Sequence, residues 1–248
     1  MSWANPIVAR LAAGDRFTGE NVCGLVLVCS WPMPEHVQVQ AGALCDQLRA
    51  ELPAGAYVYP PSTLHCTIVT LRAFTKGPMD AAAQAAAAAL WRPVLDKARQ
   101  SQHWPAATPV RLQMKAPTLE GAAGIFRYDD LDGTICKMRA ALREAIIEAG
   151  GLAAEGGGDR SHCKPLAGAP EGEVSPHLPD IVHSTALRWA TEPDDRSAAA
   201  ETFVRVAQSW TPVEVSAPFA TAVFETVPFM HMDAAEAEES IWWKSETA

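Results

Sequence analysis

Leu64-His65-Cys66-Thr67-Ile68-Val69 and Val182-His183-Ser184-Thr185-Ala186-Leu187 are the two stretches on which the reading of this chain turns. Each is an apolar, strand-like run carrying one His-x-Thr triplet. Side chains alternate faces along a strand, so His65 and Thr67 project together, as do His183 and Thr185. Seven histidines and fifteen threonines among 248 residues give roughly 0.4 such triplets by chance, so one alone would carry no information. A histidine in a strand is often a satisfied core or edge residue, and threonine is a good strand former. That plain reading suffices for either triplet separately. It does not account for two triplets at matching places in a repeated order of elements.

The repetition emerges on working outward. Residues 22 to 31 read as a buried strand ended by Pro32 and Pro34, followed by a helix over Pro34 to Leu52 with Val37, Ala41, Leu44, Leu48 and Leu52 on one stripe. The first motif strand, Leu64 to Phe74, comes next. An alanine-rich helix over Asp80 to Arg99 follows, then a strand from Val110 to Met114. Gly124 to Tyr128 completes a hairpin with that last strand and opens the second series. It continues with an amphipathic helix over Leu131 to Ala149 stopped by Gly150-Gly151, the second motif strand Ile181 to Trp189, a helix over Asp194 to Trp210, and one or two strands within Val213 to Val227. Strand and helix alternate in the same order twice, which predicts an α/β or α+β architecture of two similar lobes. Lobe one spans about 22–114 and lobe two about 124–227, within a single domain over 1–232. Residues 151 to 178, rich in glycine and proline, read as a long surface loop. Residues 233–248 read as an acidic tail, frayed or forming a short helix that bears Trp242 and Trp243.

Composition narrows the partners. Twenty-nine acids against twenty bases leave nine net negative charges, the opposite of what displaces counterions from duplex DNA, so coating of long nucleic acid is excluded. A local pocket for one phosphate stays compatible with that balance. No apolar run approaches the ~20 residues of a membrane span, and Met1 to Asp15 lacks a secretory core, being interrupted by Asn5, Pro6 and Arg10. Six cysteines without a C-x-x-C pair suggest neither a disulfide framework nor a zinc ribbon. The expectation is a reduced cytoplasmic or nuclear monomer.

Two His-x-Thr motifs on the central strands of a duplicated fold resemble the 2H phosphoesterases, which include 2′-5′ RNA ligase-like proteins and cyclic phosphodiesterases. The resemblance runs from about Val22 to about Met230. It implies an α+β fold, duplicated and bilobal, in which two antiparallel-sheet lobes with outer helices face each other across a central cleft and each donates one motif. By that resemblance His65 and His183 are the catalytic pair and Thr67 and Thr185 bind the substrate phosphate. The implied substrates are nucleotides or RNA termini with a 2′,3′-cyclic phosphate or a 2′-5′ linkage. A non-catalytic module binding AMP-like nucleotides is the alternative.

The chemistry is coherent without the family. Opening a cyclic phosphate needs a base to deprotonate water and an acid to protonate the departing ribose oxygen. Histidine, with an ordinary pKa of about 6.5, serves as either. Threonine hydroxyls can donate hydrogen bonds to the non-bridging oxygens as charge develops there. No metal or other cofactor is required by that scheme. Among aromatics near the motif strands (Tyr57, Tyr59, Phe74, Phe126, Tyr128, Trp189), Tyr59 is the candidate for base stacking at the cleft rim, with core packing expected of most of the others. Strict alternation puts Arg188 on the face opposite His183, away from a phosphate; Arg72 has no assigned role. Cys66 points away from its histidine as a small core residue. His162, Cys163 and Lys164 could reach a substrate from the long loop. Together with His177, the first two have metal-ligand types but no metal-ligand spacing.

Overall fold

The structure, a computed structural model, describes residues 2–20, 22–105, 109–150, 166, 176–217 and 220–245. In chain order the elements are α1 (Pro6–Ala12), β1 (Gly24–Cys29), α2 (Glu35–Glu51), β2 (Ala56–Val58), β3 (Cys66–Arg72), α3 (Ala81–Gln100), β4 (Val110–Glu120) and β5 (Ala123–Asp130), then α4 (Thr134–Glu148), β6 (His183–Trp189), α5 (Arg196–Ala207), β7 (Val213–Ala217), β8 (Ala220–Glu225), α6 (Ala234–Ser240) and β9 (Ile241–Lys244). They form an α+β fold of two antiparallel sheets with helices packed outside. One sheet has the order β3-β1-β8-β9 and the other β2-β6-β5-β4-β7.

The duplication is present, but the sheets do not follow the two halves of the chain. The three strands β3-β1-β8 correspond to β6-β5-β4. Within each trio the motif strand and its neighbour come from one half, and the third strand comes from the other. β4 therefore leaves the first half to pair with β5, and β8 leaves the second half to pair with β1. The spans 22–114 and 124–227 are thus not separate lobes in space. Helices respect the same symmetry, with α3 packed on α4 and α2 on α5.

Local sequence explains most of the frame. All six residues of β1, Gly-Leu-Val-Leu-Val-Cys, are buried, because one face meets the helices and the other meets the side chains around Trp31, Val223 and Met230. The α2 stripe is buried through Val37, Ala41, Leu44 and Leu48. Asp80 caps α3 by accepting from the Ala83 amide, and the helix continues through Pro93. α4 starts where the Asp130 carboxylate accepts from the Thr134 and Cys136 amides at 2.8 and 3.0 Å. It ends before Gly150, whose φ of 80° is the left-handed conformation that glycine adopts without penalty. β4 runs past Pro117, which sits at a register shift, where a missing amide costs no ladder bond.

Three short elements were not expected: α1, β2 and β9. The acidic end is not a tail. Asp233 and Glu236 form a capping box on α6, and β9 pairs antiparallel with β8 as an integral strand of the sheet. Trp243 is buried and donates from its indole nitrogen to Asp96 at 2.8 Å. Most of residues 151–178 lie outside the described residues, and with them His162, Cys163 and Lys164. Among the described residues no helix is long and apolar enough to cross a membrane.

Candidate active site

Both motif strands carry a bulge directly after the threonine. On β3, Thr67 pairs with Val28 and Val69 with Leu27, so Ile68 is the extra residue. On β6, Thr185 pairs with Ile125 and Leu187 with Gly124, so Ala186 is extra. A bulge inserts one residue and reverses the alternation beyond it. From histidine onward the burial sequence is the same in both strands: histidine and threonine partly buried, then two buried residues, then a partly buried one. That last residue is Thr70 in one strand and Arg188 in the other. Both face the cleft with the motif residues, and this corrects the expectation that Arg188 points away.

The cleft between the sheets has a volume of about 480 Å³ and is lined by His65, Thr67, His183, Thr185, Thr70 and Arg188, among others. The four residues singled out in the sequence therefore share one cavity. Hydrogen bonds across the floor fix the two motif strands to each other. The Ser184 hydroxyl donates to the His65 carbonyl and accepts from the buried Tyr128 phenol at 2.9 Å. Arg139 reaches up from α4 and donates to the carbonyls of Ile68 (3.1 Å), Thr67 (2.8 Å) and Ile181 (3.1 Å), so one guanidinium holds the backbone at both motifs. Neither Ser184 nor Arg139 stood out in the sequence, because their partners are main-chain atoms that no residue pattern marks.

His65 lies just before β3. Its Nδ1 is 2.7 Å from the Thr63 carbonyl, which makes Nδ1 the protonated nitrogen and leaves Nε2 as a free acceptor. Burial, reinforced by His183 and His231, lowers its pKa to about 4 against the pull of the Thr63 carbonyl. His183 is also lowered, first by burial and then by the charges of Arg139 and Arg188. The Ile181 carbonyl and Glu120 work in the opposite direction. The two imidazoles thus differ: His65 is the more strongly held in the neutral form.

Tyr59 lines the cleft but is only 2% exposed. Its ring packs edge-on against His231 at 4.7 Å and against Tyr57 and Phe229, and burial raises the pKa of its phenol. It is a wall under other rings rather than an open stacking surface at the rim. Of the remaining aromatics, Phe126, Tyr128 and Trp189 are core residues, whereas Phe74 lines the cleft. Arg72 is buried and donates to the carbonyls of Cys23 and Gly77, away from the cavity. Cys66 is 1% exposed opposite Cys29, in the core as expected.

One corner of the cleft went unread in the sequence. Glu225, at the end of β8, is buried and lines the cavity. Its carboxylate accepts from the amides of Met230 (3.1 Å) and Phe229, and burial raises its pKa to about 7 despite these donors. Phe229 and Met230 both have positive φ, 58° and 60°, an uncommon conformation for side-chain-bearing residues, held here by the carboxylate. The Phe229 ring meets Phe74 at 5.0 Å and lies under the Arg188 guanidinium at 5.3 Å. Gly24 faces Glu225 across the β1–β8 ladder, and a Cβ there would fall 2.5 Å from a carboxylate oxygen. A lone acid closing the apolar run Ala220-Thr221-Ala222-Val223-Phe224 was the available signal.

Among the described residues no group of three His, Cys, Asp or Glu side chains is gathered to hold a metal ion. No family model and no curated protein matches the chain. Solved structures are similar over most of its length. TT0787 of Thermus thermophilus is 17% identical with a TM-score of 0.46, covering 81% of this chain and 87% of that one. A phosphoesterase is 11% identical with a TM-score of 0.42, covering 82% and 88%. E. coli LigT complexed with NADP+ is 12% identical, also with a TM-score of 0.42 and the same coverage. At such identities and scores, function has to be read from the residues of the cleft.

Proposed function

We propose that the protein is a phosphodiesterase of the 2H type that hydrolyses 2′,3′-cyclic phosphate or 2′-5′ phosphodiester bonds in nucleotides or RNA termini by two-histidine acid–base catalysis. The observation that carries this reading is the convergence of His65, Thr67, His183 and Thr185 on one cavity from two strands with the same bulge. In this scheme neutral His65 is the base. Its free Nε2 takes a proton from water, whose oxygen attacks phosphorus as the bond to the 3′ oxygen of a cyclic phosphate breaks, leaving a 2′-phosphate. His183, the less depressed of the pair, carries the proton that the leaving oxygen receives. Each histidine contributes roughly 10²- to 10⁴-fold. Thr67 and Thr185 donate to the non-bridging oxygens. The negative phosphate raises both imidazole pKa values on binding, bringing His65 toward the range where a base works best.

The test is turnover of 2′,3′-cyclic nucleotides and of a 2′-5′ dinucleotide in excess EDTA, by the natural sequence and by His65→Ala and His183→Ala. The expected outcome is chelator-resistant hydrolysis that falls at least a hundredfold in each variant. Activity abolished by EDTA, or retained in both variants, would overturn the assignment. Tight AMP binding with no turnover of any such substrate would leave a nucleotide-binding module instead.

A further inference from the structure

We propose that the corner of the cleft built by Glu225, Arg188, Phe74 and Phe229 is a nucleobase pocket selective for guanine. The proposal rests on the phosphodiesterase reading only in taking the ligand to be a nucleotide. A buried carboxyl group needs partners, and charged groups left unpaired in low dielectric are costly. Glu225 receives two backbone amides and, among the described residues, no cation. Arg188 stands on the opposite wall with its Nε buried and without a hydrogen-bond partner. Both act electrostatically on the same Tyr59 phenol, and both flank Phe229, Glu225 through its amide and Arg188 over its ring. One cavity thus presents a carboxyl group and a donor-only guanidinium beside aromatic rings, each with unused capacity.

Guanine supplies the complement. Its N1–H and N2 amino group are two adjacent donors that a carboxylate accepts side by side, and its O6 and N7 are the acceptors an arginine most often addresses. Above about pH 7 Glu225 is mostly ionised and its carboxylate can only accept, so adenine and the pyrimidines offer it no pair of adjacent donors. Spacing agrees. Thr67 stands level with Val28 of β1 and Glu225 level with Gly24, four residues or about 13 Å apart along the strand. That separation lets a phosphate sit at the threonines while the base edge reaches the carboxylate. Gly24 is part of the device, since any side chain there would occupy the space of the Glu225 oxygen.

Binding of the product-like 2′-monophosphates of guanosine, inosine, adenosine and cytidine, measured by titration calorimetry at pH 8 where Glu225 is ionised, tests the proposal without requiring turnover. Guanosine 2′-monophosphate is expected to bind about tenfold or more tightly than the other three, inosine being weakened by loss of the one amino group. Glu225→Gln should erase the guanine preference, with an unchanged near-ultraviolet circular dichroism spectrum reporting that the variant is folded. Equal affinity for all four ligands, an adenine preference, or a guanine preference untouched in Glu225→Gln would overturn it. The inosine comparison needs no variant and decides the point even where Glu225→Gln fails to fold. Failure of the phosphodiesterase reading would look different: guanosine 2′-monophosphate would bind selectively while 2′,3′-cyclic GMP went unhydrolysed.

Discussion

Burial drives Glu225 and His65 toward the same uncharged state, with opposite consequences for folding. Glu225 moves from 4.5 up to about 7. Its neutral form is therefore favoured in the folded chain, and stability is lost as pH rises from about 4.5 to about 7, by about 3 kcal/mol at full ionisation. His65 moves from 6.5 down to about 4, and so does His231. For these two the neutral form is again favoured in the fold. Their contribution is present above about pH 6.5 and is lost as pH falls toward about 4, again by about 3 kcal/mol each. Glu225→Gln should accordingly raise the urea midpoint at pH 8 far more than at pH 4.5. His65→Gln should reduce the loss of stability between pH 7 and pH 4. Midpoints that shift equally at both pH values would contradict these assignments. The residue scale is also where the sequence spoke most clearly. His65, Thr67, His183 and Thr185 were legible because one short pattern occurred twice at matching places in a repeated series. Glu225 and Phe229 were not, because their meaning comes from a turn that folds back over the end of β8.

At the scale of elements, long strands and helices announce themselves through periodicity, and their limits came within a few residues. α1, β2 and β9 are too short for a period to show, and β9 lies in a segment whose composition is dominated by acids. The bulges at Ile68 and Ala186 were invisible for another reason. An apolar residue in an apolar strand looks the same whether or not it has a partner, so simple parity carried Arg188 to the wrong face. α4 is the element that joins both bulged strands, through Arg139. Replacing Arg139 with methionine removes three hydrogen bonds to main-chain carbonyls, a loss of about 1–3 kcal/mol wherever the oxygen is left buried without another donor. Turnover should then fall by more than the affinity for a bound 2′-monophosphate, since the groups remain present but lose their mutual placement. An equal loss in turnover and affinity, or none in either, would count against this positioning role.

For the molecule as a whole, the exchange of β4 and β8 decides what can fold alone. Each half lacks the third strand of its own sheet and exposes an apolar edge where that strand belongs. Fragments 1–121 and 122–248 should therefore be disordered or aggregated apart and give native-like near-ultraviolet circular dichroism and catalytic turnover only when refolded together. Two independently folded fragments would contradict this account of the architecture. The same exchange bears on motion. Four covalent crossings between the sheets, the serine bridge from Ser184 to the His65 backbone and the three-pronged hold of Arg139 leave the walls no axis about which to swing. The cleft is a gauge of set width rather than a pair of jaws. Discrimination between ligands then depends on what fits the gap as it stands, and structures with and without a bound nucleotide should superpose at the four motif residues.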